Sequence, residues 1–573
     1  MAVTWETVLA WRPDPLEAAG RQLLACQDDL VGVGGDVAAH ATPPSWSGAA
    51  ADAARGARYR LGEQLEDLVT EVSAARRSVL DAADAVGAVH QAVVRAQEFA
   101  RANGLSIGPD GAVQDVAGPQ MCYATQHDAD LADAERRLLV TECAADVEQI
   151  VRRARDVDAD LGAVMQSILG GRLAALDATD PADAARQGDA AGAASVPEPP
   201  GGPGGKGSAA ANAAWWATLS PAEQQQVIAQ HPEWIGHRDG VDLAARDQAN
   251  RLLLPRYRSQ LEAQRAALEQ QLQNLPPSPR GPSPQRLELL GRIHQIDDKL
   301  ASLSTVESVL TRPDRHLLDL DLTHDRAQAV IANGDVTTAD HVAVFTPGLT
   351  STVQGIDGYD QDLGNLRTLA EKDLFRHGST DSVATVTWLG YQAPQWNTTL
   401  SGDSVALSGA AQDGGRDLAE FYRGLNASRT TDPDLTALGH SYGSTTTGYA
   451  LHETTGVDRA AFFGSPGLGV DHLPQLQVPT GQSYYAEAKW DPVGDLGRFG
   501  FDPSSLEGMK HLQTGAATTT DGTGLDGVSG HTSYLQDRST SQYNLAVVVA
   551  GHQEDAIYGN NKGITDWPFG IEQ

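Results

Sequence analysis

Ser441 is the residue whose surroundings point most directly to chemistry. It lies in Gly439-His440-Ser441-Tyr442-Gly443, a G-x-S-x-G pattern in which a strand turns sharply into a helix and lifts the hydroxyl above the sheet edge. The flanking glycines have a steric task. A side chain at 439 or 443 would press where strand and helix pass closest, and Gly448, further along the helix, lets it lie against the sheet. With 59 glycines in 573 residues, composition alone would yield roughly 0.3 chance matches, so context must decide. The context is an apolar run at 435–438, introduced by Asp432-Pro433-Asp434 and followed by small, helix-compatible residues without proline. That is the setting of a nucleophile rather than of a glycine-bounded structural turn.

A serine hydroxyl attacks poorly at neutral pH and needs a base within hydrogen-bond reach, itself held by an acid. For serines of this pattern the partners follow in the order acid, then histidine. The apolar run 483–488 ends in Lys489-Trp490-Asp491-Pro492-Val493, which places Asp491 at the C-terminal end of a strand, with Asp495 in reserve. The plain alternative for Asp491 is an Asp-Pro turn that caps the strand. For the base, His531 in Gly530-His531-Thr532-Ser533-Tyr534 occupies a glycine-rich loop just before the last helix. His511 would lie within a strand and His552 beyond that helix, so both are weaker candidates. His440, next to Ser441 on a tight turn, reads as a packing residue.

Charge that develops on the attacked carbonyl oxygen needs preorganised N–H donors. One is expected from the backbone of Tyr442. The other is expected from the loop after the third strand, Thr346-Pro347-Gly348-Leu349-Thr350, with the N–H of Leu349 as donor and Gly348 permitting close approach.

The elements that must position these groups form an α/β pattern over the last 260 or so residues. Strands are expected at 317–322, 327–331, 341–345, 382–389, 435–438, 459–463, 483–488 and 509–512, with helices between most of them. Upstream the chain is helical. Residues 1–170 read as a helical-hairpin domain in which Pro13 and Pro15 start a first helix, with Leu23, Leu30, Val33 and Val37 on one side. A turn at 41–45 leads to a second helix with a 4-3 apolar seam through Leu61, Leu65, Leu68, Val72, Val79, Val86, Val89 and Val93. A further helix covers about 127–169. Residues 171–213, rich in Ala, Gly and Pro, read as a flexible linker. Residues 214–313 read as a helical intermediate segment, opening with Ser220-Pro221-Ala222-Glu223 as a helix start and carrying a helical hairpin at 256–274 and 286–310. His231, His237 and Asp239 lack any metal-binding spacing and fit turns. Residues 314–573 form the expected catalytic domain.

Composition narrows the class. The net charge of −33 argues against nucleic acid or an anionic membrane surface as partner. No apolar run reaches transmembrane length, and the opening MAVTWETVLAW lacks the basic start and apolar core of a secretory signal, so export by the general pathway is not expected. Cys26, Cys122 and Cys143 show no C-x-x-C spacing and read as buried thiols.

Two resemblances follow from these motifs. The segment 1–100, with Trp46-Ser47-Gly48 at its turn, resembles the WXG superfamily of small helical proteins exported by type VII secretion. Tyr59 to Glu63 has the spacing of that group's export signal but lies inside the second helix. The resemblance implies a helical protein partner and residence in the cytoplasm or export by a type VII-like route. From about 215 to the end, the chain resembles the α/β-hydrolase superfamily, and within it an actinobacterial serine-hydrolase family. The resemblance is carried by PGLTST at 347–352, Trp388-Leu389-Gly390-Tyr391, Ala393-Pro394, GHSYGS at 439–444, Phe463-Gly464-Ser465-Pro466-Gly467, Asp491-Pro492-Val493 and Gly530-His531, and upstream by HPEWIG and RDQANR. It implies a Ser441, Asp491, His531 triad acting on small-molecule or lipid carboxylic esters, with no metal and no organic cofactor. An acyltransferase with the same triad, or a secreted interaction protein using the fold as a scaffold, are the alternatives.

Overall fold

A computed structural model describes residues 2–40, 42–117, 123–276, 283–395, 409–493 and 502–559. The chain divides into two compact units. One comprises Met1–Gly118, Val140–Pro199 and Ala214–Gln226; the other comprises Pro119–Leu139, Pro200–Ala213 and Val227–Gln573.

The first unit is helical, with a short turn α1 (Trp5–Val8), then α2 (Asp14–Ala39) and α3 (Ala49–Ala102), an antiparallel pair β1 (Leu105–Ile107) and β2 (Val113–Asp115), most of α4 (Gln126–Leu169), and α5 (Pro181–Gly192). Pro13 opens α2 as expected. The contact of α2 with α3 is made less by its large apolar residues than by its glycines. Gly20 is buried so closely that a Cβ there would stand 2.5 Å from Leu80 Cδ2, whereas Val33 is exposed.

The seam on α3 follows expectation in its second half, where Val79, Ala82, Val86, Val89 and Val93 are buried. In the first half it shifts, leaving Leu61 and Leu68 exposed while Val69, Thr70, Ser73 and Ala74 are buried. The cause is α5. This helix lies within the stretch expected to be a flexible linker, starts on an Asp180 cap and Pro181, and presses small residues onto α3. A Cβ on Gly188 would meet Thr70 O at 2.3 Å, and one on Gly192 would meet Ala74 O at 2.2 Å. Small residues on both surfaces allow this approach, which larger seam residues would block.

Trp46 is exposed at the hairpin turn, and Tyr59 is an exposed residue of α3. Cys143 is buried, but Cys26 lies exposed on α2, against the expectation of a buried thiol; Cys122 and Asp495 fall outside the described residues.

In the second unit, α8 (Leu243–Gln273) and α9 (Pro284–Val309) follow α6 (Ala209–Thr218) and α7 (Pro221–Gln230) in the chain. Ser220 and Glu223 form the expected reciprocal cap of α7, with Ser220 N donating to Glu223 Oε2 at 2.8 Å. Helices α8 and α9 do not stand apart from the sheet. Their Leu254, Leu261, Leu303 and Val306 share one apolar cluster with Leu317 and Leu320 of its edge strand and Ile331 of the strand beside it. Residues 200–207, also expected to be linker, wrap the buried guanidinium of Arg238. It donates to the carbonyls of Pro200, Gly202, Gly205 and Lys206 and to Asn212 Oδ1.

The sheet has eight strands: β3 (Arg315–Asp321), β4 (Gln328–Asn333), β5 (His341–Thr346), β6 (Val383–Leu389), β7 (Asp434–His440), β8 (Arg459–Phe463), β9 (Ser483–Ala486) and β10 (Lys510–Leu512). Their order is β10-β9-β8-β7-β5-β6-β4-β3; β4 is antiparallel to both its neighbours and the other pairs are parallel. Every residue of β5 and β6 is buried, the pattern of parallel strands covered on both faces. Val342, Val344, Ala437 and Phe462 face Leu418, Phe421 and Tyr422 of α11 (Gly409–Ala427). The alternate residues Ala343, Phe345, Leu438 and Ala461 face α10 (Ile356–Arg376) and, after the elbow helix α12 (Tyr442–Ala450), the last helix α13 (Thr540–Val549). This is an α/β sheet in which β7 is central and delivers Ser441 at its C-terminal end. Among the described residues no helix is long and apolar enough to cross a membrane.

Candidate active site

Ser441 stands between β7 and α12 with φ 54° and ψ −133°, a left-handed backbone that only close packing on all sides maintains. The packing is specific. A Cβ on Gly439 would approach Ser444 Cα to 2.7 Å, and one on Gly443 would approach Thr346 O to 2.1 Å, so both glycines are required by the turn. Gly448 serves a different neighbour from the sheet expected for it, since its Cβ would lie 2.1 Å from Leu468 O in the loop after β8.

Of the acids and histidines weighed from sequence, the structure brings Asp491 and His531 to Ser441. His531 Nε2 lies 2.7 Å from Ser441 Oγ, and His531 Nδ1 lies 2.9 and 3.0 Å from the two oxygens of Asp491. His511 lies in β10 and His552 beyond α13. Two loops meet to form this line: Gly530 N donates to Lys489 O at 2.8 Å, and Lys489 pairs with Ser529 as a parallel bridge. The loop that carries the acid is thereby tied to the loop that carries the imidazole.

Asp491 is 3% exposed. Burial by itself would raise its carboxyl, but hydrogen bonds from His531, Tyr534 and the Val493 N–H outweigh that and hold it below the usual carboxylate range. Tyr534 Oη donates to Asp491 Oδ2 at 2.5 Å and accepts from Ala488 N at 2.8 Å. His440 is more than a packing residue. Burial first, and the neighbouring His531 second, push its imidazole down to about 4. It is therefore neutral at pH 7, and its Nε2–H donates to the His531 carbonyl at 2.8 Å while its ring lies 4.9 Å from the His531 ring.

Gly464 closes the back of the site. With φ 56°, its Cβ would stand 2.8 Å from Asp491 Oδ2, 2.9 Å from Tyr534 Cε2 and 3.2 Å from His531 Nδ1. The sequence contained the signals for these three supporting residues, in Gly530-His531-Thr532-Ser533-Tyr534, Gly439-His440 and Phe463-Gly464, but not the long-range meeting that gives them roles.

The loop after β5 lies against the elbow. A Cβ on Gly348 would be 2.6 Å from Ser441 Cβ and 2.8 Å from Tyr442 N, so the absence of a side chain lets the Pro347-Gly348-Leu349 backbone reach the serine. Tyr391 Oη donates to Pro347 O at 2.7 Å, and Thr350 N donates to Pro394 O at 2.9 Å, so the segment after β6 braces that loop. Tyr442 N is the first amide of α12, a position whose N–H is directed out of the helix N-terminus.

A family model described as "Alpha/beta hydrolase" matches residues 323–501, which include the Gly348 loop, Ser441 and Asp491; His531 lies beyond the match. The uncharacterized protein Rv0963c of Mycobacterium tuberculosis is 34% identical over 230 residues, which is 38% of this chain and 85% of the relative. The uncharacterized protein Mb0988c of Mycobacterium bovis matches to the same extent, 34% over 230 residues and 85% of its length. The uncharacterized protein Rv2079 of Mycobacterium tuberculosis is 29% identical over 373 residues, covering 59% of this chain and 55% of the relative. With its eight-stranded, mostly parallel sheet, its elbow and these matches, the chain belongs, through its C-terminal region, to the alpha/beta-hydrolase family.

Proposed function

We propose that the chain is a serine hydrolase of carboxylic esters, with Ser441, His531 and Asp491 as its catalytic residues. The observation that carries the reading is the continuous hydrogen-bonded line from Ser441 Oγ through His531 to the buried carboxylate of Asp491. In this reading His531 Nε2 takes the Ser441 proton as Oγ attacks the ester carbonyl carbon. Asp491 holds Nδ1–H and stabilises the imidazolium, and its ionised state is what the bonds from His531, Tyr534 and Val493 favour. The N–H groups of Leu349 and Tyr442 receive the developing oxyanion. His531 then gives its proton to the departing alkoxide, leaving an acyl-serine. A water molecule, deprotonated by His531, releases the carboxylic acid and restores the serine. Neither a metal nor an organic cofactor takes part in these steps.

The test is turnover of a panel of neutral esters of increasing acyl length by the native chain and by Ser441→Ala. The reading expects hydrolysis that falls by roughly 10³-fold or more in the variant. Turnover that persists in Ser441→Ala would overturn it. Product transferred to an added alcohol or sugar in place of water would instead assign the same residues to an acyltransferase.

A second reading concerns the helical unit. Trp46 and Tyr59 are exposed, and Leu61 and Leu68, seven residues apart, are exposed on one face of α3, apolar side chains suited to a helical protein partner. It supports a WXG-like role in type VII export. Export that requires Trp46 and Tyr59, scored with Trp46→Ala and Tyr59→Ala in a host with and without that system, would favour it; export indifferent to both would remove it.

A further inference from the structure

His552, set aside as a base, meets a different set of partners at the opposite end of the strands. Helices α10 and α13 pack on the same face, sharing the cluster of Leu366, Ala370 and Leu374 with Leu545, Val548 and Val549. Both run away from the strand ends that carry Ser441. Gly551, just past α13, lies beside the Arg459 guanidinium and the Asp434 carboxylate, at the starts of β8 and β7. At this end the last turn of α10 presents Asp373 and, just past it, His377, four residues apart, and the turn after α13 presents His552 and Asp555.

Three of these side chains converge, and Asp555 stands beside His377. His552 Nδ1 is 2.7 Å from Asp373 Oδ2, His377 Nδ1 is 3.8 Å from that oxygen, and His377 Nε2 is 3.2 Å from Asp555 Oδ2. The two imidazole rings lie 3.8 Å apart, and the ligand atoms of Asp373, His377 and His552 all fall within 4.8 Å of one another. Neighbouring ligands of a tetrahedral ion with bonds of about 2.0–2.2 Å stand roughly 3.3–3.6 Å apart, a spacing that small side-chain rotations reach from here. The His377 Nδ1–H donates to the Asp373 carbonyl at 3.0 Å, which leaves Nε2 as its lone-pair nitrogen.

Asp373 supplies an independent sign. It is 2% exposed, and its Oδ1 is buried without a hydrogen-bond partner. The nearest arginine in sequence, Arg376, pairs with Asp521 at 3.2 Å instead. A buried carboxylate oxygen is costly unless it is hydrogen-bonded or bound to a cation, and Oδ1 has no hydrogen bond. Two imidazoles and a carboxylate, with Asp555 next to one of the rings, make a nitrogen-rich donor set, the chemistry of zinc rather than of magnesium or calcium.

We propose that Asp373, His377 and His552, with Asp555 beside them, bind a divalent transition ion of the zinc type, which clips the end of α10 to the end of α13. The site is structural, stands independently of the esterase reading, and leaves Ser441 chemistry unchanged. The experiment uses the full chain stripped with chelating resin and titrated with zinc chloride, followed by calorimetry and thermal unfolding. His377→Ala, His552→Ala and the double variant are compared with His294→Ala, which removes an exposed imidazole beside Asp298 on α9. The proposal expects one zinc per native chain, a thermal midpoint raised by several degrees, and affinity reduced tenfold or more by either site variant but not by His294→Ala. A native chain whose midpoint and heat of titration do not respond to zinc would overturn it and leave a network held by protons alone. Equal binding by the double variant would do the same. The native titration decides even where a variant fails to fold.

Discussion

Behind the Asp491–His531 hydrogen bond there is no room for a methyl group. Gly464→Ala would place Cβ 2.8 Å from Asp491 Oδ2 and 3.2 Å from His531 Nδ1, in a backbone region that side chains rarely adopt. If Asp491 orients His531, this one carbon displaces the acid from the base. The expected outcome is a fall in kcat of about ten- to a hundredfold with KM nearly unchanged, measured by steady-state ester hydrolysis; full activity would show that the line of hydrogen bonds is not used. His440 makes a second prediction, about pH. Its pKa of about 4 in the folded chain lies below the ordinary value, so between pH 6.5 and 4 the unfolded chain takes up a proton that the folded chain refuses. Stability therefore falls as pH drops through that window. Urea midpoints at pH 7 and pH 5 should fall further apart for the native chain than for His440→Gln; an equal fall in both would assign the loss to other groups. Ser441, Asp491 and His531 were each legible in sequence because a local motif announces them. Gly464, Tyr534 and His440 were not, since each acts across strands or loops that are distant in the chain.

At the scale of elements, the strands were the most legible part. Buried parallel strands are continuous apolar runs bounded by turn residues, and all eight lie within a few residues of the expected positions. The glycine- and alanine-rich stretch was misread for a physical reason. Composition that cannot build a core of its own can still pack on one: α5 does so through Gly188 and Gly192 against α3, and residues 200–207 do so around Arg238. The guanidinium satisfies four backbone carbonyls that no regular element pairs, and its burial lowers its own pKa to about 10. Arg238→Ala should therefore cost about 3 kcal/mol or more in urea unfolding, and open 200–207 to proteolysis in otherwise native conditions. A stability within about 0.5 kcal/mol of the native chain would mean that this wrapping contributes little.

For the whole molecule, the boundary drawn at the linker gives way to two units that interleave along the chain. Residues 200–213 and 227–313 belong with the sheet, whereas Ala214–Gln226 belongs with the helical unit. Sequence composition locates where a chain changes character, but contacts made by α8 and α9 on β3 and β4 decide which unit a helix joins. The net charge of −33 spreads over both units and is compatible with neutral substrates, leaving the choice of ester to the site itself. The central claim is that Ser441 is an activated nucleophile. The measurement that tests it most directly is labelling of the purified full chain with a fluorophosphonate, with peptide mapping of the adduct and circular dichroism of every variant. The account predicts a label on Ser441 that is absent from folded Ser441→Ala and folded His531→Ala. A folded native chain that takes no label, or a label that survives Ser441→Ala, would contradict it.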